Sequence, residues 1–192
     1  MTRDDASPHL PTLFLCSRFV DDEPYALALG RLLSGRFRIR TIDESTWTHL
    51  EWESTHAELR RTIREDHQSG CCLLVVLIGG GTWRMRRVDW EISAGIRVRS
   101  DEPHLGLLGL LLPSHPDFGR PSYDLARIPP RLYENVVATY ARLADWTDDP
   151  DMLVDLIGDA KTRAVNEIPV NTFPHLTDDL YGDRWRRLPP AG

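Results

Sequence analysis

Residues 77–92 read LIGGGTWRMRRVDWEI, an apolar run that turns through three glycines into a tryptophan, a basic stretch and a glutamate. Two chemistries compete here: a glycine loop wrapping a phosphate, or a carboxylate acting on a substrate. A Walker loop needs GxxxxGK[ST], because its lysine reaches the terminal phosphates and its hydroxyl holds magnesium. Gly79, Gly80 and Gly81 are followed by neither. A dinucleotide fingerprint GxGxxG opens the helix after the first strand, where residues 17–23 read SRFVDDE without a glycine. The glycines therefore read first as a sharp turn from strand to helix, with backbone amides such as that of Gly79 left as phosphate contacts at the helix start. Glu91 is the other candidate.

Other chemistries fail on residue type or spacing. A receiver domain would use Asp21-Asp22 as its acidic pair, but it also needs an aspartate ending the third strand and a lysine near the fifth. Ile78-Gly79 stands at the first position and Lys161, the lone lysine, is far from the second. The seven histidines show no HxxxH or HExxH spacing, so no metal site is expected. Cys16, Cys71 and Cys72 lack a CxxC spacing and sit at strand ends, as buried structural thiols do. There is no GxSxG nucleophile elbow. The net charge of −6 argues against nucleic acid as the main partner, because phosphate binding normally shows as a basic face.

The elements that must position Glu91 follow from the apolar pattern. Residues 12–16, 36–42, 72–78 and 105–112 read as strands, and CLLVVLI is the unbroken apolar run of a central parallel strand. Helices are expected at residues 23–33, from Ser54-Thr55 to about 67, and at 82–99, where Met85, Val88, Ile92 and Ile96 form a stripe. A proline-rich connection at 113–130 leads to a fifth strand within 135–143, and Asp151 caps a final helix. This alternation implies an α/β fold, a flavodoxin-like, doubly wound parallel sheet of about five strands. One domain over residues 1–165 is expected, followed by an irregular tail at 166–192. Such a sheet places its ligand crevice beyond the carboxyl ends of the first and third strands, at loops 17–23 and 79–83, with loop 43–54 on the same rim. No apolar run approaches the ~20 residues of a membrane span, and MTRDDASPHLP lacks the order of a secretion signal. A cytoplasmic protein without a membrane partner is expected.

The stretch VVLIGGGTWRMRRVDWEI, with LFLCSRFVDD before it and the segment from IDESTW to AELRRTIREDHQSG between them, resembles the TIR-like proteins of the Thoeris anti-phage defence system. The similarity spans roughly residues 12–165, with an aromatic strand at 140–146 and a closing helix as support. It implies a TIR fold that takes NAD⁺ as substrate, needs no further cofactor and splits the nicotinamide–ribose bond. The product would be a cyclic or otherwise modified ADP-ribose that switches on a separate effector protein. Self-assembly and a phage-derived trigger are the further partners to expect. Catalytic TIR domains carry a glutamate on the helix after the third strand, and Glu91 matches it.

Glu91 suits that role on physical grounds. It lies three residues after Val88 and one before Ile92, at the edge of the helix stripe beside the crevice. A fixed carboxylate there stabilises the oxocarbenium charge that develops on the ribose. The bland alternative is an ion pair with Arg87, four residues away. At the rim, Ser17, Arg18 and Phe19 are candidates for phosphate, ribose and ring contacts, Asp43 and Glu44 for ribose hydroxyls, and Trp83 for stacking on a base. Equally, Asp43 could merely end a strand, Phe19 pack in the core and Trp83 cover the helix start. Two non-catalytic readings stand beside the enzyme: a TIR scaffold, and a module that binds a nucleotide messenger made elsewhere.

Overall fold

A computed structural model describes residues 10–53, 55–98 and 103–185. Five strands, β1 (Thr12–Cys16), β2 (Arg38–Arg40), β3 (Cys71–Ile78), β4 (Gly106–Leu111) and β5 (Arg142–Asp145), form one all-parallel sheet in the order β2-β1-β3-β4-β5. This is the doubly wound flavodoxin-like order, which reverses direction between β1 and β3. Among the described residues six α-helices cover it: α1 (Phe19–Leu32), α2 (Glu44–Glu53), α3 (His56–Thr62), α4 (Arg86–Gly95), α5 (Pro130–Val137) and α6 (Pro150–Asn166).

Side chains alternate across a strand, so each strand feeds two cores. Leu13 and Leu15 of β1 join Leu29 of α1 and Leu153 of α6 on one face. Phe14 and Cys16 join Trp47 of α2, Leu59 of α3, Ile92 of α4 and Leu132 of α5 on the other. Each large aliphatic side chain so buried contributes about 1.5–3 kcal/mol.

Several boundaries differ from the sequence pattern, each for a local reason. The helix expected from residue 23 begins at Phe19, with Pro24 inside it, past the first turn, where its ring supplies no N–H for the helical hydrogen bond four residues back. The expected loop at 43–54 is mostly α2, because the Asp43 carboxylate accepts from the Thr46 amide and thereby starts a helix. Thr55 and Glu58 form a capping box that starts α3, and a π-helical turn at Ile63–His67 follows it. The helix expected over 82–99 is a 3-10 turn, Thr82–Arg84, then α4, with Met85 extended between them at ψ 114°. Pro129-Pro130 opens α5, so residues 135–137 are helical and β5 starts only at Arg142. Asp149, not Asp151, caps α6 by accepting from the amides of Asp151 and Met152.

After α6 the chain is irregular yet bonded, and residues 167–185 run as a strap over α4 and α5. Asn135 exchanges two hydrogen bonds with Val170, the Trp90 indole donates to the Leu176 carbonyl, and the Trp185 indole donates to that of Ile128. Among the described residues no helix is long and apolar enough to cross a membrane.

Candidate active site

Glu91 sits in the second half of α4, a helix whose residues from Val88 to Gly95 are all buried. The sheet lies under one side of α4, α2 and α3 flank it, and α5 with the strap closes the rest. The helix therefore has no outer face. Glu91 is not at the edge of an open crevice; its side chain is 3 % exposed. Its Oε1 accepts from the Trp47 indole Nε1 at 3.1 Å, and the Cys16 thiol at the end of β1 faces the same carboxyl. Gln68 holds the helix in place, donating to the Glu91 carbonyl at 2.9 Å.

Burial pushes the Glu91 carboxyl up to about 8, while Cys16 and Trp47 pull it back only in part. At pH 7 the protonated form therefore predominates. The same burial, with the Glu91 charge beside it, raises the Cys16 thiol well above its ordinary value, so it stays a neutral packing group. The ion pair with Arg87 does not form. Arg87 instead grips Glu51 through Nε and Nη2 at 2.8 and 2.9 Å, and Glu44 through Nη1 at 2.8 Å.

The rim candidates divide between two places. Ser17, Asp43 and Glu44 share a groove of about 460 Å³ with Leu15, Thr41 and Ala26, on the α1 face beyond the ends of β1 and β2. Asp43 is held to about 2 by donors from Ser45 and Thr46, so it is a carboxylate at any physiological pH. Glu91 lies on the opposite face of the sheet, and α2 joins the two. The first residues of α2 line the groove, while Trp47, one turn on, covers Glu91.

Arg18 lies on the β3 side, paired with Asp21 at 2.7 Å, and its guanidinium crosses Gly81 so closely that a Cβ there would stand 2.6 Å from Nη1. Phe19 begins α1, but its side chain lies outside the described residues. Trp83 is 1 % exposed, packed at the start of α4 with no open ring face for stacking.

The three glycines make the turn out of β3, where the Thr82 amide donates to the Gly79 carbonyl at 3.4 Å, and since none has a positive φ, what their lack of a side chain provides is close approach. A Cβ on Gly79 would meet the Asp22 carboxylate at 2.7 Å. Asp22 is itself buried, raised by that burial, and accepts from the Arg18 amide at 3.0 Å. The Gly79 amide already donates to Thr82 Oγ1 at 2.9 Å. The start of α4 is likewise taken, because Asp179 of the strap accepts from the Arg86 amide at 2.9 Å. The phosphate contact expected of this helix start is filled by the chain's own carboxylate.

Sequence reasoning missed Trp47 as the partner of Glu91 and read Cys16 only as structural. The available signals were position alone: Cys16 closes β1, and Trp47 falls in the segment flanking the rim. Among the described residues no cluster of His, Cys, Asp or Glu is suited to a metal ion.

A five-stranded all-parallel sheet in this order, flanked by helices, is consistent with the flavodoxin-like fold of a TIR-like domain. The chain belongs to the family described as Thoeris protein ThsB, TIR-like domain, whose model matches residues 16–117. That stretch holds Cys16, Trp47 and Glu91 but ends before α5 and the strap, short of the span expected from the sequence. No curated protein and no solved structure matches the chain.

Proposed function

We propose that this TIR-like domain cleaves the nicotinamide–ribose bond of NAD⁺, with Glu91 as the catalytic carboxylate, and releases a cyclic or modified ADP-ribose as a signal in anti-phage defence. The observation that carries the reading is a buried carboxyl with no cation bonded to it. Such a group costs stability, and a fold retains one where chemistry needs it. The nearest cation on its own helix, Arg87, is spent on Glu51 and Glu44.

The glycosidic electron pair leaves with the pyridinium nitrogen, giving neutral nicotinamide without protonation of the leaving group. Ionised Glu91 offsets the positive charge left on the ribose. Water, or a hydroxyl or ring nitrogen of the same molecule, then bonds to the anomeric carbon and loses a proton. Exclusion of water favours the cyclic outcome. Asp43, Glu44 and Ser17 supply acceptors for ribose hydroxyls, and Arg18 a cation for the diphosphate. The substrate reaches Glu91 when the start of α2 swings Trp47 aside, which also hydrates the carboxyl and lowers its pKa toward the ordinary range.

The occlusion of Glu91 favours one second reading, a TIR scaffold that assembles without turnover. Nicotinamide release and product mass from NAD⁺, with wild type and Glu91→Gln side by side, in pure protein and in lysate of infected cells, separate the two. Turnover that disappears in Glu91→Gln is expected. Equal turnover in both proteins sinks the site assignment, and silence in every setting together with self-assembly replaces the enzyme by the scaffold.

A further inference from the structure

A second pocket, of about 320 Å³, opens between α3, the end of α4 and the strap, well away from the groove at the strand ends. Its polar wall is Arg60 of α3, Arg97 just past α4, Ser93 of α4, and Asn171 and His175 of the strap. Only Ala57 and Ala94 are apolar, so there is no surface on which a base or lipid would stack.

The charge in this pocket is one-sided. Neither Arg60 nor Arg97 has a carboxylate partner among the described residues. Arg131 lies behind them, fully buried, and binds Asp89 through Nε at 2.9 Å and Nη2 at 3.1 Å, so that pair is neutral as a unit. The helix-end carbonyls that could take up free cations are already bonded: Ser93 by the Asn171 amide nitrogen, and Gly95 by the Leu105 amide, both at 2.9 Å. In a chain of net charge −6, two arginines with no carboxylate partner among the described residues face one concavity, an arrangement that suits an anion.

His175 adds a directed donor. The Arg131 Nη2 can only donate, at 3.3 Å, so His175 Nδ1 accepts and its ring proton sits on Nε2. We propose that this pocket binds the phosphate or diphosphate group of a small molecule, gripped by Arg60 and Arg97 with His175 as a third donor.

The electrostatics agree with the geometry. Arg60 is lowered first by burial and then by the charges of Arg131 and Arg97. His175 is lowered by burial, Arg131, Arg60 and His56, against which only Asp89 pulls upward. An anion in the pocket reverses that balance. It raises His175, so binding takes up a fraction of a proton and tightens as pH falls through the histidine range.

The test uses the full chain and three probes, inorganic phosphate, pyrophosphate and ribose 5-phosphate, by titration calorimetry and by NMR of the His175 ring. Saturable binding of one molecule per chain is expected, with the His175 pKa rising on saturation. Arg60→Ala and Arg97→Ala should each weaken it at least about tenfold. Arg97 is exposed, so Arg97→Gln keeps the fold, verified by circular dichroism, and Arg36→Ala on another surface leaves binding unchanged. Tighter binding of ribose 5-phosphate than of phosphate supports a sugar phosphate as ligand, and equal binding supports free phosphate. No saturation with any probe into the millimolar range overturns the proposal, as does undiminished binding in the Arg60→Ala/Arg97→Ala double variant. The site stands independently of NAD⁺ cleavage.

Discussion

Asp89 and Glu91 stand two residues apart on α4, both carboxylates and both buried, at 1 % and 3 % exposure. Their surroundings are opposite. Asp89 meets a bidentate arginine, Arg131, and the Leu176 amide, and Arg131 in turn is held by the side chain of Asn171 and the carbonyl of Phe173. Glu91 meets an indole N–H and a thiol. The α5 and strap side of the helix thus pairs one carboxylate with a buried arginine. The α2 side holds the other as an acid, by contacts that α2 gives up if it moves. One helix carries a structural charge and a releasable one.

Asp89→Ala should break this comparison most severely. It strands the buried Arg131, and removing one partner of a buried pair costs about 3–5 kcal/mol. Chemical denaturation measures the loss, and a cost under about 1 kcal/mol would mean that the pair is not buried in solution.

Glu91→Gln should act the other way. In the folded chain this carboxyl keeps its proton up to about 8, while unfolded it ionises at its ordinary, lower value. Between the two the unfolded state binds fewer protons, so wild-type stability falls as pH rises, by up to about 1.4 kcal/mol per pH unit, and levels off above the folded value. Glutamine has no such term. The variant should match wild type below about pH 4, where the carboxyl is protonated in both states, and exceed it increasingly toward pH 8. Parallel stability curves for the two proteins would show that Glu91 is ionised and solvated in the folded state.

The smallest effect is expected of Trp47→Phe. It keeps a ring over Glu91 but removes the indole donor, at about 1 kcal/mol. Because that donor favours the charged form, its loss should move the carboxyl higher still, visible as a shift of the pH–stability curve to the alkaline side. An unshifted curve would remove Trp47 from the account of Glu91.

These two regions also differ in how far they could be read from sequence. Unbroken runs such as CLLVVLI disclose buried parallel strands, and the stripe through Val88 and Ile92 discloses α4, because apolar periodicity directly reflects burial. The helix α2, ESTWTHLEWE, has no apolar stripe and is made by the Asp43 cap, so its single decisive residue, Trp47, passed unread. The strap has no periodicity at all. It docks through backbone carbonyls, one asparagine exchange and a few indoles, and none of these leaves a spacing to find. Glu91 was legible as a candidate, but its depth was not, since burial on every side of α4 depends on those two unread segments.

The strap also bears on how the chain is made. The last sheet strand ends at Asp145, whereas the contacts that enclose Arg131 and Trp90 come from residues 171–176, and Trp185 docks later still. At about 5–20 residues per second, the roughly 30 residues from Asp145 to Leu176 leave an interval of roughly 1.5 to 6 seconds in which the sheet is complete and this face of α4 is bare. During that interval the nascent domain exposes a tryptophan and an arginine–aspartate pair that the finished protein hides, which makes this face the place where a chaperone would be needed.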